Sequence, residues 1–103
     1  NTSVVQSEKL IEIKKEENRR YLNTAADCIV SDPVLKRKIK IEKHNSNTTV
    51  VWNPWVETAK SMADMGDEDF KTMICVEAVN AFNDTVTLKP GEEYTMTTSI
   101  GIL

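Results

Sequence analysis

Apolar side chains in this sequence recur mostly at every second position. Leu35, Arg37, Ile39 and Ile41 alternate with Lys36, Lys38, Lys40 and Glu42, the period of a strand with one face toward a core and a polar face toward water. Short runs at 9–13, 19–23, 26–30, 48–52, 72–78, 85–88 and 94–102 also read as strands. Ser31-Asp32-Pro33 is a turn signal, 43–47 reads as a polar hairpin connection, and Lys89-Pro90-Gly91-Glu92 has Pro and Gly where a tight reversal wants them. The pattern predicts a mainly β chain, with 85–88 and 94–102 joined by that reversal.

One stretch breaks the two-residue period. Val50-Val51-Trp52-Asn53-Pro54-Trp55 is a strand that stops on a proline. Pro54 has a fixed φ and no N–H, which suits the start of a helix, and Asn53 before it is pushed to extended geometry, which suits a cap. Trp55, Ala59 and Met62 then fall at helical spacing, so 54–64 is predicted as a single short amphipathic helix closed by Gly66.

Length and charge narrow the classes. The 103 residues allow one small domain at most. A net charge of -3 with acids and bases interspersed does not favour nucleic acid, and no apolar run approaches membrane-spanning length. The basic run Lys36-Arg37-Lys38 reads as a solvated strand face. Cys28 and Cys75 lack C-x-x-C spacing and read as reduced, buried thiols, which points to a cytoplasmic setting. The chain begins on Asn with no targeting segment, so it is expected to start inside a longer polypeptide. Sequons at Asn1, Asn47 and Asn83 are short enough to arise by chance.

Candidate chemistry is sparse. His44 is the sole histidine and falls in a polar stretch, where a solvated imidazole is the expected role. Asp67-Glu68-Asp69 reads as a solvated turn that starts a helix, and no metal-ligand cluster, phosphate loop or Ser/His/Asp set is present. Glu77 differs, because a carboxylate between Ile74, Val76 and Ala78 on a strand is costly to bury unless paired or used. Alternation leaves two readings open: a functional carboxylate, or an outward-facing one that shares its side with Cys75 and Met73.

Taken together, Val50 to Trp55, Lys60, Met62, Asp64-Met65, Phe70-Lys71, Met73, Cys75-Val76-Glu77 and Val86 to Glu92 resemble, in order and spacing, the C-terminal part of the glucose-6-phosphate 1-epimerase family of hexose-phosphate mutarotases. Upstream, Asn18 to Thr24 is similar to that family's Asp-Arg-x-Tyr segment, so the resemblance covers nearly the whole chain. It implies the C-terminal part of a galactose-mutarotase-like antiparallel β-supersandwich with one short helix, with 1–103 as a single partial domain.

The implied reaction interconverts the α and β anomers of a hexose 6-phosphate by acid/base ring opening, with no cofactor and no metal. By the same resemblance Glu77 matches the catalytic base, whose pKa partial burial on an apolar strand would move toward neutrality. Family members are about three times longer, and their histidine acid and phosphate-binding arginines lie in the part absent here. His44 does not match that acid, Arg19 matches a family arginine read as structural, and Asn18 replaces the usual Asp. Ala78-Val79-Asn80-Ala81 replaces a Pro-Gly that follows the Glu in many bacterial members. A non-catalytic, truncated mutarotase-like domain that binds carbohydrate or a protein partner is the alternative. In either case exposed strand edges are expected to favour self-association or pairing with the missing N-terminal part.

Overall fold

A computed structural model describes residues 3–103, which leaves the Asn1 sequon outside the described residues. Six strands form two antiparallel three-stranded sheets. In the first, β4 (Thr48–Asn53) lies between β1 (Glu17–Tyr21) and β5 (Cys75–Val79). In the second, β3 (Arg37–His44) lies between β2 (Cys28–Asp32) and β6 (Thr97–Ile102). The predicted mainly β architecture with one short helix is what forms, consistent with a mutarotase-like sandwich.

The register fixes what each face carries, since directly opposed residues of an antiparallel pair point the same way. One face of the first sheet holds Glu17, Arg19, Tyr21, Thr49, Val51, Asn53, Val76 and Ala78. It is the inner face, and Glu17, Thr49, Val51 and Asn53 are all buried. In the second sheet, Cys28–Ile41–Ile100 and Val30–Ile39–Ile102 make two apolar rows. The two inner faces approach where Thr49 meets the thiol of Cys28, beside Lys43. The Lys43 ammonium and the Thr49 hydroxyl are buried there and bond to no other protein group.

Several predicted elements change. Residues 9–13 and 85–88 are not strands, because a strand is a paired state and neither run lies in a ladder. The reversal at 89–92 does form, as a type II turn with Gly91 at φ 85 and the Glu92 N–H bonded to the Lys89 carbonyl at 3.0 Å. It does not join two paired strands, and β6 pairs with β3 instead. Residues 33–36 make the first turn, so Leu35 is exposed rather than in a strand, and Asp32 closes the turn by accepting from the Leu35 N–H at 3.2 Å.

The 43–47 segment is not a hairpin, because β3 and β4 belong to different sheets. It is a crossover held by its own polar groups. The Ser46 hydroxyl donates to the Val79 carbonyl at 2.7 Å and accepts from the Val79 N–H at 3.1 Å, and the Asn47 N–H donates to Asp84 at 2.7 Å. Asn80 and Tyr94 both donate to the Asn45 carbonyl. Ser46 and Thr48 are buried as a result.

The tryptophan corner is built around Asn53. Its Oδ1 accepts from the Trp55 N–H at 2.9 Å, and its Nδ2 donates to the Phe70 and Met73 carbonyls at 3.0 and 2.9 Å. Pro54, fully buried, precedes α1 (Trp55–Ser61), which is shorter than the predicted 54–64 because Met62 turns to extended geometry. Trp55 has φ 58, unusual for a bulky residue, and its ring packs on Phe70 at 4.9 Å. Phe70 lies in a 3-10 turn over Asp69–Thr72 whose leading Asp69 accepts from the Gly66 N–H at 2.9 Å, so the acidic stretch starts a helical turn as expected. From there the chain re-enters the first sheet as β5.

Candidate active site

The corner delivers the chain to Glu77. Asn53 ends β4 and holds the carbonyls that precede β5, so β5 is laid against β4 with Val50 opposite Glu77 and Trp52 opposite Cys75. β1 completes the rows on the other side, with Arg20 opposite Val50 and Asn18 opposite Trp52. The outer face of the first sheet therefore carries Arg20–Val50–Glu77 in one row and Asn18–Trp52–Cys75 in the next.

Glu77 is exposed on that face, so the burial expected to tune its carboxyl is not supplied by these residues. It shares the face with Cys75, as the outward-facing reading required, while Val76 points inward; Met73 precedes the strand. Burial raises the Cys75 thiol above its ordinary value, and the Glu77 charge beside it adds to the shift. Both cysteines are free, and both are half-buried rather than fully buried. Burial likewise raises Cys28 and depresses Lys43.

Arg19 and Arg20 have opposite fates. Arg19 points inward, where its Nε donates to Glu17 at 3.0 Å and Nη1 to Gln6 at 3.1 Å, with Tyr21 bonded to the same Gln6 oxygen. These bonds tie Arg19 to Glu17 of its own strand and to Gln6. Arg20 faces outward with its guanidinium 4.6 Å from the centre of the Phe82 ring. Phe82 itself holds φ 60 at the start of a 3-10 turn, Phe82–Asp84. Sequence reasoning passed over Arg20; the strand alternation that set it on the Glu77 face, opposite to Arg19, was the available signal.

His44 is not in a loop but ends β3 of the other sheet, exposed and opposite Thr97. The structure does not join it to Glu77. Two open grooves, about 330 Å³ over β6 and about 440 Å³ beside β1, also lie away from Glu77. No helix among the described residues is long and apolar enough to cross a membrane. Chemically, the outer face offers an exposed carboxylate able to accept a proton, an aromatic wall at Trp52, and a cation two strands from the carboxylate.

The family model for aldose 1-epimerase matches residues 1–101. The chain belongs to this family. Among curated proteins, several named "Putative glucose-6-phosphate 1-epimerase" are similar to it. The one from Cenchrus ciliaris is 38% identical over 84 residues, covering 82% of this chain and 25% of the relative. The one from Salmonella typhimurium is 41% identical over 64 residues, 62% of this chain and 22% of the relative, and that from Escherichia coli is 36% identical over the same shares. The chain thus spans about a quarter of the length of these relatives. No solved structure matches it significantly.

Proposed function

We propose that these residues are the C-terminal part, a single partial domain, of a hexose-6-phosphate mutarotase, with Glu77 as its base. The observation that carries this reading is that the aldose 1-epimerase family model spans the Cys75-Val76-Glu77 block, whose glutamate is exposed on the outer face of the first sheet. The sugar class rests on the names of its relatives.

In this reaction the Glu77 carboxylate accepts the proton of the anomeric hydroxyl. The electron pair left on that oxygen forms the carbonyl as the bond from C1 to the ring oxygen breaks, and an acid protonates the ring oxygen. Rotation about C1–C2 presents the other carbonyl face. Reclosure reverses the proton movements and regenerates the carboxylate. None of these steps calls for a cofactor.

The acid is not among the residues brought to Glu77, since His44 lies in the other sheet. That placement also favours a second reading of the 103 residues by themselves: a non-catalytic β unit that binds carbohydrate or a protein partner. Free thiols support a cytoplasmic setting. Open strand edges support self-association or pairing with the rest of a longer chain.

Anomeric exchange of glucose 6-phosphate, followed by NMR magnetisation transfer, tests the proposal. A full-length protein carrying this segment accelerates the exchange, whereas residues 1–103 alone do not. Robust acceleration by 1–103 would refute the assignment of the acid to the missing part.

A further inference from the structure

We infer that Ser46 and Asn53 are positioning residues for Glu77: from the two ends of β4 they fix β5 along its length, and so set where the carboxylate stands. They act through the backbone of β5. The inference rests on the mutarotase reading of Glu77 and adds to it the groups that hold the base in place.

The first ground is what side-chain alternation leaves open. Among the described residues β5 is an edge strand, paired with β4 alone. Val76 and Ala78 face inward, and Cys75, Glu77 and Val79 face outward. A slip of one residue would drive the Glu77 carboxylate onto the inner face, which its desolvation opposes. A slip of two residues keeps every side chain on its own face, yet moves Glu77 by about 7 Å along the strand. Alternation does not oppose that slip.

The second ground is a pair of polar clamps that do oppose it. Just ahead of β5, the Asn53 amide donates to the Phe70 and Met73 carbonyls at 3.0 and 2.9 Å. At its last residue, the Ser46 hydroxyl donates to the Val79 carbonyl at 2.7 Å and accepts from the Val79 N–H at 3.1 Å. Each bond selects one backbone group, and both side chains are only 2% exposed. Any shift of β5 along β4 therefore leaves buried donors and acceptors unmatched at both ends, which is costly. Proton transfer requires hydrogen-bond reach between base and hydroxyl, and a misplacement of about 1 Å can cost on the order of a hundredfold in rate. Holding β5 in place is thus a condition for catalysis by Glu77.

Steady-state kinetics on glucose 6-phosphate, together with amide hydrogen exchange of the 74–80 stretch, both on the full-length protein, test this. Ser46→Ala is expected to lower kcat about tenfold with KM unchanged, and to speed exchange in β5 by a similar factor. Ser46→Cys, close in size with a weaker donor, falls between. Asn53→Asp keeps the acceptor for Trp55 but loses both donations, and lowers kcat from the other end; should it not fold, the Ser46 variants decide. Ile41→Val, which loosens the core of the second sheet, leaves kcat and β5 exchange at the wild-type level. Faster β5 exchange in Ser46→Ala with wild-type kcat, unchanged β5 exchange, or a kcat loss shared by Ile41→Val would each overturn the inference while leaving the Glu77 reading standing. Wild-type kcat in Glu77→Gln would instead sink the mutarotase reading, and this inference with it.

Discussion

The two sheets have the same number of strands yet close in different ways. The inner face of the first includes polar residues, and nearly all are served: Asn53 makes three hydrogen bonds at 2% exposure, and Glu17 is bonded to Arg19 at 7%. The second sheet is the more apolar, but its rows run from Ile41 at 7% exposure to Ile100 and Ile102 at 69% and 67%. Burial here follows the connections rather than hydrophobicity. The first sheet is sealed by its own corner, 3-10 turn and crossover, whereas β6 arrives after a long exposed segment with nothing among the described residues laid on its apolar side. The sheet that carries Glu77 is thus closed locally, and the other has apolar surface to cover.

Breaking each sheet should expose that difference. Phe70→Ala, which removes the ring under Trp55 and empties the corner, is expected to cost about 3–5 kcal/mol in urea unfolding, as for other buried aromatics. Asn53→Ala strands two carbonyls and the Trp55 N–H, and about 2–3 kcal/mol is expected from unsatisfied buried groups. Ile100→Thr on the second sheet, by contrast, should change stability by less than about 0.5 kcal/mol but reduce concentration-dependent association in sedimentation. A cost for Ile100→Thr equal to that for Asn53→Ala would erase the distinction.

The smallest effect concerns the thiols. Cys28 and Cys75 are raised above 9.0, chiefly by burial, so the folded state favours their protonated form. Their contribution to stability is complete below about pH 9 and is lost as pH rises through the folded pKa. Lys43, depressed below 10.5, has the opposite sign, and its contribution grows as pH rises through its folded pKa toward 10.5. Alkylation of the native chain is expected to show a pH midpoint above 9.0 and that of the unfolded chain a midpoint near it. Coincident midpoints would contradict the burial of the two thiols.

Much of this was legible in the residues. Alternation from 37 to 42 located most of β3 and its faces, and the Asn-Pro step located the corner, because both signals are local. Pairing was not legible: 9–13 and 85–88 have strand composition but no ladder, and the polar 43–47 segment looks like a hairpin while it crosses between sheets. Strand propensity reports fit to a pleated surface, and whether such a surface is present depends on distant chain. For the site, Glu77 was singled out by its block with Cys75 and Val76, and alternation left its facing open until the sheet pairing placed it outward. The opposite facings of Arg19 and Arg20 were legible from alternation, but which of them turns inward to pair with Glu17 was not.

The most direct test compares one carboxylate from each sheet. Glu77 and Glu42 are both exposed strand glutamates, on the first and second sheets respectively. In the full-length protein, Glu77→Gln is expected to slow anomeric exchange of glucose 6-phosphate on the order of a hundredfold or more, the usual worth of general-base catalysis, with unfolding unchanged. Glu42→Gln is expected to leave the rate at the wild-type level. Wild-type exchange in Glu77→Gln, or equal losses in both variants, would contradict the account.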